Sequence, residues 1–406
     1  MLEHWLWLAH RPGINEHTKV LLLQYFGSPE GVYTAAEREL TEIPGLTGAG
    51  RKSLGDKSME QYEAALMRCR RENIRILTYL DEEYPRRLKN IYNPPLVLYY
   101  KGTLPKFDGY PTIGVVGTRR CSAYGVSVAE KLGGEISSCG GTVVSGLADG
   151  IDAAAMSGAL RVGCPTVGVL GTGADIVYPA VNRALFAQVE RCGCLLSEFL
   201  PGTGAFKYNF PKRNRIISGL SVAVVIVEAP EKSGALYTAR AALDEGRDVY
   251  VVPGNVDMPS FVGSNRLLKE GASPISCGWD VMSEYTSLFP DKIRKAECPE
   301  PQQNGAGQMQ QARDYTPKKK ETKPAARKKV VDNGPGETYI DLKTTAQGLC
   351  GEDQAIVNCL TGGEKLVDDV IAATGIPSGL LLRRLTMLEL KGTVVRLPGN
   401  RIRLRK

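Results

Sequence analysis

Between residues 112 and 288 the chain alternates short, continuous apolar runs with longer amphipathic stretches. The runs are TIGVVG (112–117), GTVVSG (141–146), PTVGVLG (165–171), CLLSEF (194–199), VAVVIVEA (222–229) and DVYVVPG (248–254). Segments such as YGVSVAEKLGGEISS and GALYTARAALDEG separate them and carry their apolar residues at helical spacing. Strands that are apolar on both faces, joined by helices, predict a parallel sheet covered on both sides, which is a Rossmann-like α/β core.

Composition narrows the class. The chain has 406 residues, 43% of them hydrophobic and 23% charged, enough for two or three globular domains. No apolar run approaches the roughly 20 residues of a membrane span, and the N-terminus lacks the basic residues of a signal peptide, so a cytoplasmic protein without membrane contact is expected. The ten cysteines include no CxxC pair, which suits neither a zinc ribbon nor a thioredoxin-type site and predicts reduced thiols. The three histidines, His4, His10 and His17, all precede residue 18, so neither a histidine triad nor a histidine metal cluster can lie in the core.

The net charge of +7 is uneven. Arg313–Lys329 holds eight basic residues against two acidic, and Lys391–Lys406 six against none. The rest of the chain is therefore net acidic, and an anion site in the core must be a local cluster.

In a parallel sheet the ligand lies beyond the carboxyl ends of the strands. Gly117 opens GTRR (117–120), and Ser145 and Gly146 open SGLADGID (145–152); later turns carry GTGADIVYP (171–179), EFLPG (198–202), EAPEKSGAL (228–236) and PGN (253–255). Glycine at such turns lets backbone N–H groups approach an anion. Neither GxGxxG nor GK[ST] is present, which argues against dinucleotide and P-loop sites, and no cofactor is expected. Cations are added at these ends: Arg119 and Arg120 after the first run, then Lys207, Lys212, Arg213 and Arg215 around Phe210. Guanidinium groups match phosphate oxygens and an aromatic ring offers a stacking face to a base, so the set fits a nucleic-acid backbone. Alternatively Arg213 and Arg215 pair with Glu198 or Glu228 and Phe210 is a core ring. Asn214 reads as the cap of a helix beginning at RIISGL.

The ordered motifs GVVGTRR, SGLADGIDAAA, VLGTGADIVYP, FPKRNRIISGLS, VEAPEKSGAL, GRDVYVVPGN and GSNRLLKEGA resemble those of the DNA-processing protein A (DprA/Smf) family. The resemblance implies a non-enzymatic recombination mediator that binds single-stranded DNA during natural transformation, protects it and loads RecA. It further implies single-strand-binding protein as a partner and a homodimer formed through the core; SNRLLKEGA (264–272) is a candidate for part of that interface, with Leu268 in the contact, and Leu267 and Leu268 are equally candidates for the core. It places the DNA pocket on Arg119, Lys207 and Phe210. Two positions depart from the family pattern: Asp149 stands where a basic residue is common, and Met156 where histidine is common.

The expected organisation is a helical SAM or helix-hairpin-helix-like domain over 1–84, the Rossmann-like core over 85–290, a flexible basic linker over 291–336 and a winged helix over 337–406. IPGLTGAGRKSL (43–54) resembles a helix-hairpin-helix turn and PGIN (12–15) is a poorer copy. The linker has too few branched apolar residues to fold. In the last segment Arg383 and Arg384 fall on the second amphipathic helix, where a recognition helix would lie. The competing function is a nucleotide N-glycosidase-like Rossmann enzyme, for which Glu228 is the one carboxylate available as acid or base.

Overall fold

The computed structural model describes residues 1–296, 351–376, 381, 384–385, 388–389, 393–397 and 401–405. The chain divides into two compact units, Met1–Gly305 and Ala306–Lys406.

The first unit opens with six helices, α1 (Leu2–Ala9), α2 (Glu16–Phe26), α3 (Pro29–Thr34), α4 (Glu37–Leu40), α5 (Gly48–Gly55) and α6 (Glu60–Arg71). The two hairpin turns share one build. Gly13 and Gly45 take left-handed φ of 75° and 76°, which glycine adopts without a Cβ clash. Asn15 Oδ1 accepts the Thr18 amide at 2.7 Å, and Thr47 Oγ1 accepts that of Gly50 at 3.1 Å. Asn15, which ends PGIN, is therefore the N-cap of α2.

Strand β1 (Arg75–Thr78) then pairs antiparallel with β2 (Val97–Gly102), with the single turn α7 (Arg86–Lys89) between them. The boundary expected at residue 84 is therefore wrong for the sheet, which already begins at β1. The pleat explains why helices and sheet form one unit. Leu98 of β2 faces the sheet's own core, whereas its neighbours Val97 and Tyr99 face the helical cluster around Trp7, Leu54 and Tyr62.

The six expected runs form β3 (Thr112–Val116), β4 (Thr142–Ser145), β5 (Thr166–Leu170), β6 (Cys194–Ser197), β7 (Ala223–Ile226) and β8 (Asp248–Val251), followed by the short β9 (Ser273–Pro274). They are parallel, and β2 joins β6 antiparallel at one side, in the order β1-β2-β6-β5-β4-β3-β7-β8-β9. The intervening helices are α8 (Ala123–Ser138), α9 (Ile151–Arg161), α10 (Arg183–Cys192), α11 (Asn209–Leu220) and α12 (Gly234–Asp244), with α13 (Val262–Lys269) and α14 (Gly278–Met282) after β8. Alternate strand residues feed two cores. Val115, Val143 and Val225 pack against α8, α9 and α14, while Val144, Val169 and Val224 pack against α11 and α12. Helices α8 and α9 lie in direct contact: a Cβ on Gly133 would stand 1.9 Å from the Ala155 carbonyl, and one on Gly158 1.9 Å from that of Glu130.

From β3 the chain winds outward through β4, β5 and β6, then returns to place β7 on the other side of β3. The loops after β3 and β7 thus diverge, opening a crevice at the carboxyl ends of these strands. Leu267 of α13 is core and Leu268 is partly buried against the same cluster. Among the described residues no helix is long and apolar enough to cross a membrane.

The second unit contains α15 (Gly351–Leu360), β10 (Lys365–Leu366), α16 (Val367–Thr374), and the hairpin β11 (Val394–Leu397) and β12 (Arg401–Leu404), in the sheet order β10-β12-β11. Leu381, Leu385 and Leu388 pack with Ile356, Val370 and Ile402, which is the expected winged-helix core. Arg384 pairs with Glu352 at 2.8 Å; Arg383 and most of the expected linker lie outside the described residues.

One buried acid links stability to pH. Burial pushes Glu245, at the end of α12, from its ordinary 4.5 up to about 7, against the opposing pull of Ser218, Arg247 and Arg215. The folded state therefore holds a proton that the unfolded chain has released between these values, so stability falls as pH rises from 4.5 through 7. Glu245→Gln should remove this decline, worth on the order of 2 kcal/mol, in urea melts followed across that range.

Candidate nucleic-acid interface

The site is built around the start of α11. This helix begins at Asn209, five residues before the expected cap, because Pro211 falls in its first turn, where a missing N–H removes no helical bond. Asn214 is consequently mid-helix and reaches across to the Gly234 carbonyl at 3.4 Å.

Helical periodicity then separates cations that are adjacent in sequence. Phe210, Arg213, Asn214 and Ile217 face the crevice between the β3 and β7 loops. Lys212 and Arg215 face elsewhere, into a cleft against the Pro12–Glu16 turn, and Arg215 is ion-paired with Glu198. The internal pairing considered for Arg215 is thus the observed one. Lys207 lies on the exposed loop before α11, outside the lining of the crevice.

The crevice has two lobes of about 550 and 210 Å³ that share Arg119, Arg120, Ala148, Phe210 and Arg213. Phe210 is half-buried, its edge against the Gly171 backbone and its ring 5.7 Å from that of Tyr178. The guanidinium of Arg119 lies 5.0 Å from the Phe210 centroid, within cation–π range. Arg119 and Arg120 are exposed, and among the described residues neither guanidinium has an ion-pair or hydrogen-bond partner. Lys232 and Ser233 of the β7 loop complete the larger lobe, and Tyr178 and Asp149 border the smaller.

Beneath the lobes lie two buried charges, Asp152 and Arg213. Asp152, in the first turn of α9, accepts the Gly146 amide at 3.1 Å, and the backbone of Ala148 and Gly117 also favours its charged form. The loops after β3 and β4 meet here, where Ile151 N–H donates to the Thr118 carbonyl at 3.3 Å. Burial raises the pKa of Asp152, and the Arg213 guanidinium acts in the opposite direction. Arg213, 4% exposed, donates to the Val169 carbonyl of β5 at 2.6 Å. Burial brings its pKa down to about 10, opposed by Asp152, so it remains cationic at neutral pH. Gly146 must be glycine because a Cβ there would stand 1.8 Å from Arg213 Nη1. The intervening Leu147 adopts φ 52°, a conformation unfavourable for leucine. It is held by Asn182 Nδ2, which donates to its carbonyl at 3.0 Å.

Of the ten residues expected in the site, Gly117, Arg119, Arg120, Gly146, Phe210 and Arg213 line the crevice. Ser145 does not, because it is fully buried and donates to the Val115 carbonyl at 2.6 Å. Lys207, Lys212 and Arg215 lie outside as well. Arg213 and Gly146 belong to its floor, with Arg213 Nη1 held by the Val169 carbonyl and the Gly146 amide by Asp152. Sequence reasoning missed Asp152, Lys232 and Tyr178. The first stands next to Ile151 in a first helical turn, a position that pattern alone assigns to dipole or solvent contacts.

Glu228, the carboxylate considered for acid–base chemistry, is fully buried. It accepts the Ser122 amide at 3.0 Å and the Ser122 hydroxyl at 2.8 Å, while its backbone carbonyl accepts Thr118 N–H at 2.7 Å. It fixes the β3 loop to the start of α8. Met156 is a fully buried core residue.

Comparison with known proteins agrees with this architecture. Residues 75–286 match the family described as DNA recombination-mediator protein A, and residues 342–400 match the DprA winged helix domain. Protein Smf of Synechocystis sp. is 33% identical over 406 residues, spanning 99% of this chain and 98% of its own length. DNA processing protein DprA of Streptococcus pneumoniae is 41% identical over 210 residues, which is 51% of this chain and 72% of that one. The X-ray structure of DNA processing protein A from Streptococcus pneumoniae is similar with a TM-score of 0.62 at 32% identity, covering 70% of this chain and 98% of that one. The chain belongs to the DNA recombination-mediator protein A family.

Neighbours on α11 should respond oppositely to substitution. Arg213→Met would leave the Val169 carbonyl without its donor and Asp152 without the positive charge that opposes its burial, and should cost at least about 1–3 kcal/mol in chemical denaturation. Lys212→Ala, on the exposed side, should stay within about 0.5 kcal/mol of the parent.

Proposed function

We propose that this recombination mediator binds single-stranded DNA in the two-lobed crevice, with Arg119 and Arg120 on the phosphates and Phe210 between bases. The observation that carries the reading is Arg119: a guanidinium without an ion pair among the described residues, resting on a half-buried aromatic ring at the open end of a parallel sheet. A duplex already has its bases stacked, whereas a single strand can present a base to Phe210 and its phosphates to the two arginines. Gly117 brings the backbone close to the strand, and Lys232 adds a cation from the opposite wall.

Membership of a recombination-mediator family supports the further steps of this reading. The bound strand is protected from nucleases and passed to a RecA recombinase, with single-strand-binding protein as the competing occupant. Two copies of the chain act together, which raises effective concentration along one strand. The protein needs no cofactor and performs no chemistry on the strand. Asp149 at the rim of the smaller lobe offsets part of the arginine charge, so base stacking carries more of the affinity than in a fully basic pocket.

Fluorescence anisotropy of the full-length protein with single-stranded and duplex DNA of the same sequence tests this assignment. The single strand should bind more tightly. Arg119→Ala should weaken binding to all sequences alike and reduce the salt slope by about 0.7 for each phosphate that the arginine neutralises. Phe210→Ala should cost about 1–3 kcal/mol and leave the slope unchanged. Equal affinity for duplex, or an unaltered slope for Arg119→Ala, would overturn the site.

A further inference from the structure

The loop before α11 carries an exposed aromatic pair that the crevice does not use. Phe206 and Tyr208 are 50% and 63% exposed, and their rings stack nearly parallel, with centroids 5.5 Å apart and planes at 9°. Large rings left in solvent are costly unless something covers them. The backbone beneath them is fixed. Phe206 N–H donates to the Gly204 carbonyl at 3.0 Å, and Asn209 N–H donates to the Phe206 carbonyl at 3.0 Å. Asn209 is itself buried, and its side-chain amide donates to the Gly171 carbonyl on the crevice wall at 3.0 Å.

The pair adjoins the crevice, because only Asn209 separates Tyr208 from Phe210 and two peptide steps span at most about 7 Å. Lys207 lies between the rings in sequence and Lys212 four residues beyond Tyr208; both are exposed and have no ion pair among the described residues. Parallel rings interleaved with free cations offer what a single strand offers in return, flat bases interleaved with phosphates.

We propose that Phe206 and Tyr208 form a second base-stacking platform that receives the DNA strand as it leaves the crevice, with Lys207 on the adjoining phosphate. This rests on the crevice being the primary single-strand site. It also gives a place to Lys207, which the crevice leaves out. The strand then runs from Arg119 and Phe210 over the start of α11, and the footprint is longer than the crevice alone allows.

The test measures binding of the full-length protein, its Phe206→Ala/Tyr208→Ala variant and its Arg119→Ala variant to oligothymidylates of increasing length. The double variant should bind the shortest competent strand as the parent does, lose roughly five- to hundred-fold on longer strands, and keep its salt slope and melting temperature. Lys207→Ala should also affect only the longer strands but should lower their salt slope. Unchanged affinity at every length overturns the platform, and altered sedimentation in that case marks the rings as a protein contact instead. Equal loss on short and long strands also overturns it, by placing the rings within the primary site. If Arg119→Ala abolishes short-strand binding while the double variant has no effect, the platform alone falls; if neither variant alters binding, the crevice reading falls with it.

Discussion

The buried charges of Asp152 and Arg213 tie the ends of β4 and β5 to α9 and α11 beneath the crevice. Asp152 accepts the Gly146 amide just after β4, and Arg213 crosses from α11 to the carbonyl of Val169 on β5. Either charge alone beneath the crevice would be costly to desolvate; each opposes the effect of burial on the other, and each engages a backbone group. The glycine at 146 and the left-handed Leu147 are consequences, since the loop must make room for the guanidinium and turn its amides towards the carboxylate.

That arrangement also assigns work among the cations. The buried arginine supports the fold, so the groups free to meet a strand are those on its rim, Arg119, Arg120 and Lys232. Because α11 turns its next charged positions away from the crevice, Lys212 and Arg215 serve a different surface, and Arg215 is satisfied by Glu198. Phe210 sits where these constraints meet, held by Gly171 at its edge and approached by Arg119.

Much of this was legible in the chain. Six apolar runs became six parallel strands, because residues buried on both faces leave no polar alternation to mimic another element. The turn glycines and Arg119 located the crevice. Less readable was anything decided by rotation or by long-range pairing. The run FPKRNR shows four basic or aromatic positions but not which way each points, and an early proline obscured where the helix starts. Asp152 and Lys232 become site residues only when loops far apart in sequence meet. The edge strand β1 escaped notice because its stability comes from pairing with β2, with each face of that strand completing a different core.

The most direct test of the central claim is photo-cross-linking of the full-length protein to a single strand carrying 5-iodouracil, with the attached residue mapped by mass spectrometry. The account predicts cross-links at Phe210 and in the 117–120 loop, abolished on competition with unlabelled single strand and retained with duplex. Cross-links confined to α5, to the winged-helix unit or to the face bearing Arg215 would contradict it.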